Sequence, residues 1–414
     1  MKARGIVLES REKRQVRRSA LAEPAFKRYY PASWFSSLGS WMLRFMVGWS
    51  AWDLTESATW VGVVAALMLA PAFVLSPLFG ILSDRINPRY GLLTSMLVHA
   101  LIALVGALSV FTAIYNIVVL LALALAMGIV TSGHSPMRLA LVPLLVQRDA
   151  LPSAVGLSAM TFNIARILGP ALGAWLLKAF GAGWTFAVAL VMFIASAAVL
   201  AGLHGVGQRE SKAREPFAQQ FMAGLRYLKS HKGIQLIFAL TLVNGLMGRT
   251  FIELLPAVSG ALLGGGADEL AVLTASAGAG SIVGGLIVSR QSADLGRLLQ
   301  MAAAGIGAAC LMTLGVQWLQ GLVPLSLFVI ALSLFTTMAG TGCQTLTQLS
   351  LAKEYQGRVI SLWTLLAMGS PAIGSAMYGA LSDVLGFGPV FAVVASLALL
   401  AVIVLYARRR LLLA

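Results

Sequence analysis

Long apolar runs broken by short polar stretches dominate the chain. Against a window of about nineteen residues there are twelve runs, at approximately 31–55, 59–82, 90–113, 116–137, 153–179, 184–204, 233–256, 270–289, 297–317, 322–345, 358–383 and 388–407. Each can cross a ~30 Å hydrocarbon layer as a helix. Lipid leaves no water for an unpaired backbone group, so helices are the expected form. One connection is long. Segment 205–232 holds the polar stretch Gln208-Arg-Glu-Ser-Lys-Ala-Arg-Glu-Pro216, then Phe217, Phe221, Leu225 and Leu228 at helical spacing. That spacing predicts an amphipathic helix lying on the membrane face. The resulting division is a basic tail 1–30, a six-helix bundle 31–204, the linker 205–232, a second six-helix bundle 233–407 and a tail 408–414.

The two halves echo one another. Gly169-Pro170-Ala-Leu-Gly173 in the fifth run is matched by Ser370-Pro-Ala-Ile-Gly374 in the eleventh, and Gly80-x-x-x-Asp84-Arg85 has a faded partner in Gly285-x-x-x-Ser289-Arg290. Matches at corresponding positions predict a duplicated six-helix unit, an arrangement whose halves rock about a central site. The expected fold class is an all-α integral membrane protein with twelve transmembrane helices in two pseudo-symmetric bundles. Glycines such as Gly80, Gly169 and Gly173 are expected first as packing positions where helices approach closely. Pro170 and Pro371 remove a backbone bond and should bend their helices.

Composition agrees: 59% of residues are hydrophobic and 11% charged, against about 25% charged in a soluble domain. The net charge of +15 could suggest a nucleic-acid partner, but placement of the charges argues otherwise. If the helices alternate from Pro31, 26 of the 30 Lys and Arg residues fall on one side, and the opposite loops hold only Lys178. The positive-inside rule then puts both termini in the cytoplasm. The basic excess reads as affinity for anionic lipid, not nucleic acid.

Several chemistries find no support. Cys310 and Cys343 lie within apolar runs, and the four histidines show no ligand spacing, so neither a disulfide framework nor a metal site is indicated. No Gly-x-x-x-x-Gly-Lys-Ser/Thr occurs, which excludes a P-loop ATPase. No nucleophile–base pair suggests an enzyme, and no cofactor is expected. A monomer would suffice.

Charges within the apolar runs are the functional clues, because each is costly in lipid and should face a cavity or a partner. Arg44 in run one and Arg166 in run five both lie about 20 Å from the inner surface. No acidic residue of the first half shares that depth. Two arginines without carboxylate partners would make a patch for an anionic solute, with Ser40 and Thr161 as alternative partners. Trp41 and Phe45 flank Arg44, and a ring beside a guanidinium suits a flat amphipathic molecule. Asn163, Asn244 and Gln344 are further polar groups expected along the cavity. Arg249 and Glu253 stand four residues apart on one face. A local ion pair is the plain reading, and proton exchange at Glu253 is the sharper one. His134 is a second candidate proton carrier, with a hydrogen-bonded structural role as the alternative.

The stretch Gly80-Ile-Leu-Ser-Asp84-Arg85-Ile-Asn-Pro-Arg89 joins runs two and three. It resembles the loop Gly-x-x-x-Asp-Arg/Lys-x-Gly-x-Arg/Lys-Arg/Lys of the major facilitator superfamily, with Asn87 in place of glycine and Tyr90 in place of the last basic residue. Asp84 is placed to accept from backbone amides at a neighbouring helix N-terminus, with Arg85 and Arg89 in the headgroup layer. Gly80, Asp84, Arg85, Arg89, Gly169, Pro170 and Gly173 form the expected conformational gate.

Leu38-Gly-Ser-Trp41 with Arg44, Phe162-Asn163-Ile-Ala-Arg166-Ile-Leu-Gly169-Pro170-Ala-Leu-Gly173 and Gly357-Arg358-Val359 narrow the resemblance. They resemble the superfamily branch of the enterobactin exporter, macrolide efflux pumps and other transmembrane secretion effectors. The resemblance covers nearly all of 26–407. It implies export of a small organic molecule, siderophore- or drug-like, by proton antiport and alternating access. Ser40 stands where that branch often has aspartate, which shifts the expected proton site to Glu253. The alternatives are a lysophospholipid-type flippase or importer, or a non-transporting receptor or assembly partner on the same fold.

Overall fold

The computed structural model describes residues 19–203, 217–291, 294–351 and 355–408. The basic tail before Ser19, the polar stretch 208–216 and the side chains at 80–85 and 217 lie outside the described residues. So, therefore, do the expected roles of Gly80, Asp84 and Arg85.

The first half comprises α1 (Pro24–Thr55), α2 (Ala58–Arg85), α3 (Pro88–Phe111), α4 (Ile117–Leu141), α5 (Leu151–Phe180) and α6 (Ala182–Ala201). A short helix α7 (Phe217–Ser230) leads to the second half. There the seventh pass is built from α8 (Lys232–Asn244), a π-turn Gly245–Arg249, α9 (Thr250–Glu253) and α10 (Leu255–Leu263). It is followed by α11 (Ala267–Ser289), α12 (Leu295–Leu314), α13 (Leu322–Leu349), α14 (Gln356–Leu385) and α15 (Phe387–Ala407). Ten of the described helical passes are long and apolar enough to cross a membrane. The 32-residue α1 and 28-residue α2 complete twelve.

Local sequence explains many of the ends. Asn87 accepts from the Arg89 amide at 3.0 Å and is followed by Pro88, which needs no donor at the first helical position. Asn116 caps α4 through the Val118 and Val119 amides. Gly181 and Gly386 turn α5 into α6 and α14 into α15 with φ of 84° and 82°. Both angles lie in a region that suits glycine, and the two turns occupy equivalent places in the halves.

Packing repeats the same duplication. Within the first half α2 packs on α4, α3 on α4 and α6, and α1 on α5 and α6. Within the second, α11 packs on α13, α12 on α13 and α15, and the seventh pass on α14 and α15. Between the halves α2 meets α14 and α5 meets α11, each pair being the image of the other. Lipid tails are as apolar as leucine, so small residues and close contacts hold such bundles, not an excess of hydrophobic burial.

The first pass is longer than the apolar run. It starts at Pro24, not at Pro31, and Pro31 lies inside it. The cause is tertiary: Phe26 and Tyr29 are fully buried against Leu92, Met96 and Met137, and the Ala20 amide donates to Ser153 Oγ at 3.1 Å. The seventh pass is also not one α-helix. Its π-turn carries one extra residue, closed by Thr250 Oγ1 donating to the Gly245 carbonyl, and Pro256 sits in the first turn of α10.

Candidate functional site

Absent side chains on α5 set the site. A Cβ on Gly169 would lie 2.6 Å from the Trp41 Cβ, and one on Gly173 2.9 Å from Phe45 Cδ1. The two helices therefore touch, and Arg166, one turn before Gly169, comes onto the face of α1 that carries Trp41 and Arg44. The Arg166 guanidinium stands 5.7 Å from the centroid of the Trp41 ring, within cation–π range. The equivalent seam in the second half joins Gly374 of α14 to Thr250, and Gly245 to Ser370.

The seventh pass meets α1 across the two halves. Arg44 Nη2 donates to Glu253 Oε2, and Arg249 Nε donates to Glu253 Oε1 at 3.3 Å. The Glu253 side chain is only 7% exposed, whereas Arg44 is 25% and Arg249 46% exposed. One buried carboxylate thus serves two guanidiniums that retain access to the space beside them. Arg44, Arg166, Arg249 and Glu253 share a pocket walled by Trp41, Phe45 and Pro170 on one side and Leu270, Thr274 and Pro256 on the other. Three cations against one anion leave a local excess of two positive charges. A desolvated, positively biased pocket with an indole wall can take an anionic group together with a flat apolar body.

The sequence-derived residues divide. Trp41, Arg44, Phe45, Arg166, Arg249, Glu253 and Pro170 come together. The expectation of two arginines without a carboxylate is corrected for Arg44: its partner is Glu253, supplied by the other half. Thr161 is not an alternative partner, since its hydroxyl is bonded to Tyr30 Oη. Asn244 does not line the pocket; it is buried in the second half and donates to the Thr336 carbonyl at 3.2 Å. Asn163 turns back onto the Ala159 carbonyl, and Gln344 is half-buried on α13, outside the pocket wall. His134 sits within the first bundle, bonded to Ser95 Oγ at 3.1 Å with its ring 6.0 Å from His99. It therefore stands apart from Glu253. Arg89 closes α6, donating to the Leu200 and Ala201 carbonyls. That is a cation at a helix C-terminus.

Contacts between the halves are tight at one end. We call the end bearing Ser19 and Arg408 the near end and its opposite the far end. At the far end Asp383 of α14 bonds the start of α2, and Lys178 of α5 pairs with Asp268 of α11 at 2.6 Å. Towards the near end, a Cβ at Gly156 of α5 or Gly285 of α11 would meet nothing within 4 Å. Sequence reading missed Asp383, Asp268 and Thr274. Their types are ordinary for a polar helix end or wall, and only three-dimensional pairing singles them out.

A duplicated twelve-pass bundle surrounds a charged pocket between its halves, and family membership makes the protein a multi-pass membrane transporter of the major facilitator superfamily. The chain belongs to the transmembrane secretion effector family, whose pattern matches residues 17–413. It is 23% identical to the staphyloferrin A transporter of Staphylococcus aureus over 376 residues, 89% of this chain and 92% of that one. It is 26% identical to macrolide efflux protein A of Streptococcus pyogenes over 349 residues, 81% and 83% of the two chains. It is 25% identical to the enterobactin exporter EntS of Shigella boydii over 363 residues, 86% and 85% of the two chains. The fold superimposes on the nucleoside transporter NupG with a TM-score of 0.71 at 11% identity, covering 92% of this chain and 99% of that one.

Proposed function

We propose that the protein is a proton-linked exporter of small amphipathic, anionic organic molecules of siderophore or drug type. It would work as a monomer in a bacterial inner membrane, with both termini cytoplasmic. The observation that carries the reading is the Arg44–Glu253–Arg249 bridge across the halves, set beside Arg166 and Trp41. The relatives named as a staphyloferrin A transporter, an enterobactin exporter and a macrolide efflux protein support the substrate class. The positive-inside count supports the orientation, which makes the near end cytoplasmic.

The mechanism follows from competition for one carboxylate. A solute anion entering from the near end binds Arg44 and Arg166 while its apolar body lies on Trp41. That displaces Arg44 from Glu253. When the halves rock and the far end opens, the solute leaves and a proton from that side occupies the Glu253 carboxylate that Arg44 has vacated. Return to the near-open state brings Arg44 back to Glu253, and the proton departs to the cytoplasm. Solute and proton thus move in opposite directions.

The test is reconstitution in proteoliposomes with an imposed pH gradient. The panel holds a hydroxycarboxylate siderophore, a catecholate siderophore, a macrolide and lysophosphatidylcholine. Gradient-driven movement of an anionic member, lost with Glu253→Gln, is the expected result. Transport of lysophosphatidylcholine alone, or flux indifferent to the gradient, overturns the reading.

A further inference from the structure

At the far end, the first turn of α2 presents amide donors that its own helix cannot satisfy. They are met by a side chain from the other half of the protein. Asp383, in the last turn of α14, accepts from the Ala58 amide through Oδ1 at 2.8 Å and from the Thr59 amide through Oδ2 at 2.9 Å. The same Oδ2 accepts from the hydroxyls of Ser57 at 2.5 Å and Thr59 at 2.6 Å. A carboxylate at a helix N-terminus is favoured by the dipole as well as by the bonds. Here, cap and capped helix lie in different halves.

Behind the carboxylate the two backbones are in contact. A Cβ at Gly62 of α2 would stand 2.1 Å from the Ser375 carbonyl oxygen of α14, and one at Gly379 of α14 2.3 Å from the Ala58 carbonyl oxygen. Neither position has room for a side chain while this seam is shut. The companion seam, α5 on α11, is held at its end by Lys178 and Asp268, whose side chains are 74% and 50% exposed. A solvated ion pair of that kind contributes little. Asp383 is exposed as well, but with four bonds, two of them to backbone amides, its cluster is the more extensively bonded of the two far-end contacts.

We propose that Asp383 is the far-end latch of the transport cycle: its capping of α2 holds the halves together there, and its release is required for the central pocket to open on that side. The inference rests on alternating exposure of that pocket and is independent of which solute or ion is carried. In the latched state four hydrogen bonds would have to pass to water before α2 and α14 part. Asp383 lies at the rim, where water can reach it, so the exchange is reversible.

The test needs no solute, so its failure would leave the substrate reading standing. In the full chain with Cys310→Ala and Cys343→Ala, spin labels are placed at Ile114→Cys and Trp318→Cys on the far end. A second pair goes at Val155→Cys and Ser289→Cys on the near end. Distances are read by pulsed electron resonance in lipid nanodiscs. Asp383→Ala should raise the far-open population at least about tenfold, lengthening the first distance while shortening the second. Gly62→Ala presses on the same seam without touching Asp383 and should move both distances the same way. It keeps the test readable if the Asp383 variant is not recovered folded. Unchanged distances, or a longer far-end distance without a shorter near-end one, overturn the proposal, the latter being local fraying.

Discussion

Glu253, in the second half of the chain, accepts from Arg44 of the first half with one oxygen and from Arg249 of its own helix with the other. Converting it to glutamine removes the charge and turns one acceptor into a donor facing a guanidinium. Solute flux by Glu253→Gln is expected to lose its dependence on a pH gradient. The thermal midpoint should also fall, by an amount equivalent to about 1–3 kcal/mol. Flux measured against external pH and thermal unfolding in detergent check the two effects. In a double-mutant cycle, Arg44→Ala and Glu253→Gln should be non-additive by about 0.5–3 kcal/mol.

Arg166 donates to no described carboxylate and stands over the Trp41 ring. Its loss should therefore fall on the solute. Arg166→Ala is expected to weaken binding of an anionic solute by about 1.5–3 kcal/mol, roughly ten- to hundredfold. A neutral amphipathic probe should change little. Trp41→Leu should cost about 0.5–2 kcal/mol for any flat solute. Titration by tryptophan-independent calorimetry separates the cases, and equal losses for charged and neutral probes would remove Arg166 from the site.

Glycines on α5 offer an internal control. Gly169→Ala puts a methyl 2.6 Å from the Trp41 Cβ, whereas Gly156→Ala meets nothing within 4 Å. The first should destabilise by about 1–3 kcal/mol through overpacking. The second should be neutral or stabilise by up to about 1 kcal/mol through helix propensity. Paired thermal-unfolding curves decide it.

Residues 19–30 are part of the folded bundle. Deleting residues 19–30 removes Phe26 and Tyr29 from a fully buried cluster, and even Phe26→Ala alone should cost about 3–5 kcal/mol. The Ser153→Ala change, which leaves the Ala20 amide without its acceptor, should cost about 0.5–1.5 kcal/mol. Folded yield and melting temperature in detergent read both.

The ion pair of Lys178 with Asp268 should matter least. Both side chains are well exposed, so Lys178→Ala is expected to leave the melting temperature in detergent nearly unchanged. Any small shift should vanish in high salt.

What the sequence made legible follows the reach of each signal. The twelve passes and the duplication were readable because lipid enforces a length, and because Gly169-Pro170 and Ser370-Pro371 repeat a packing solution. Arg44, Arg166 and Glu253 stood out because a charge in an apolar run demands a reason, and the structure brings them to one pocket with Trp41 and Phe45; their role there is the proposal made above. The bridge itself was not: its partners are 209 positions apart, and depth along two helices does not say which faces meet. Asn244 misled because a polar residue in a span can satisfy itself on a neighbouring carbonyl of the same bundle as well as in a cavity. The start of α1 was hidden by Pro31, whose local cost is outweighed by the burial of Phe26 and Tyr29.

The one-residue surplus at Gly245–Arg249 has a mechanical meaning of its own. Such a dislocation can migrate along a helix by exchanging each carbonyl acceptor for its neighbour, conserving the number of bonds. Sliding it past Glu253 would twist that segment by about a third of a revolution relative to α8, swinging the carboxylate while the scaffold stays still. Such a swivel would act in series with any rocking of the two halves.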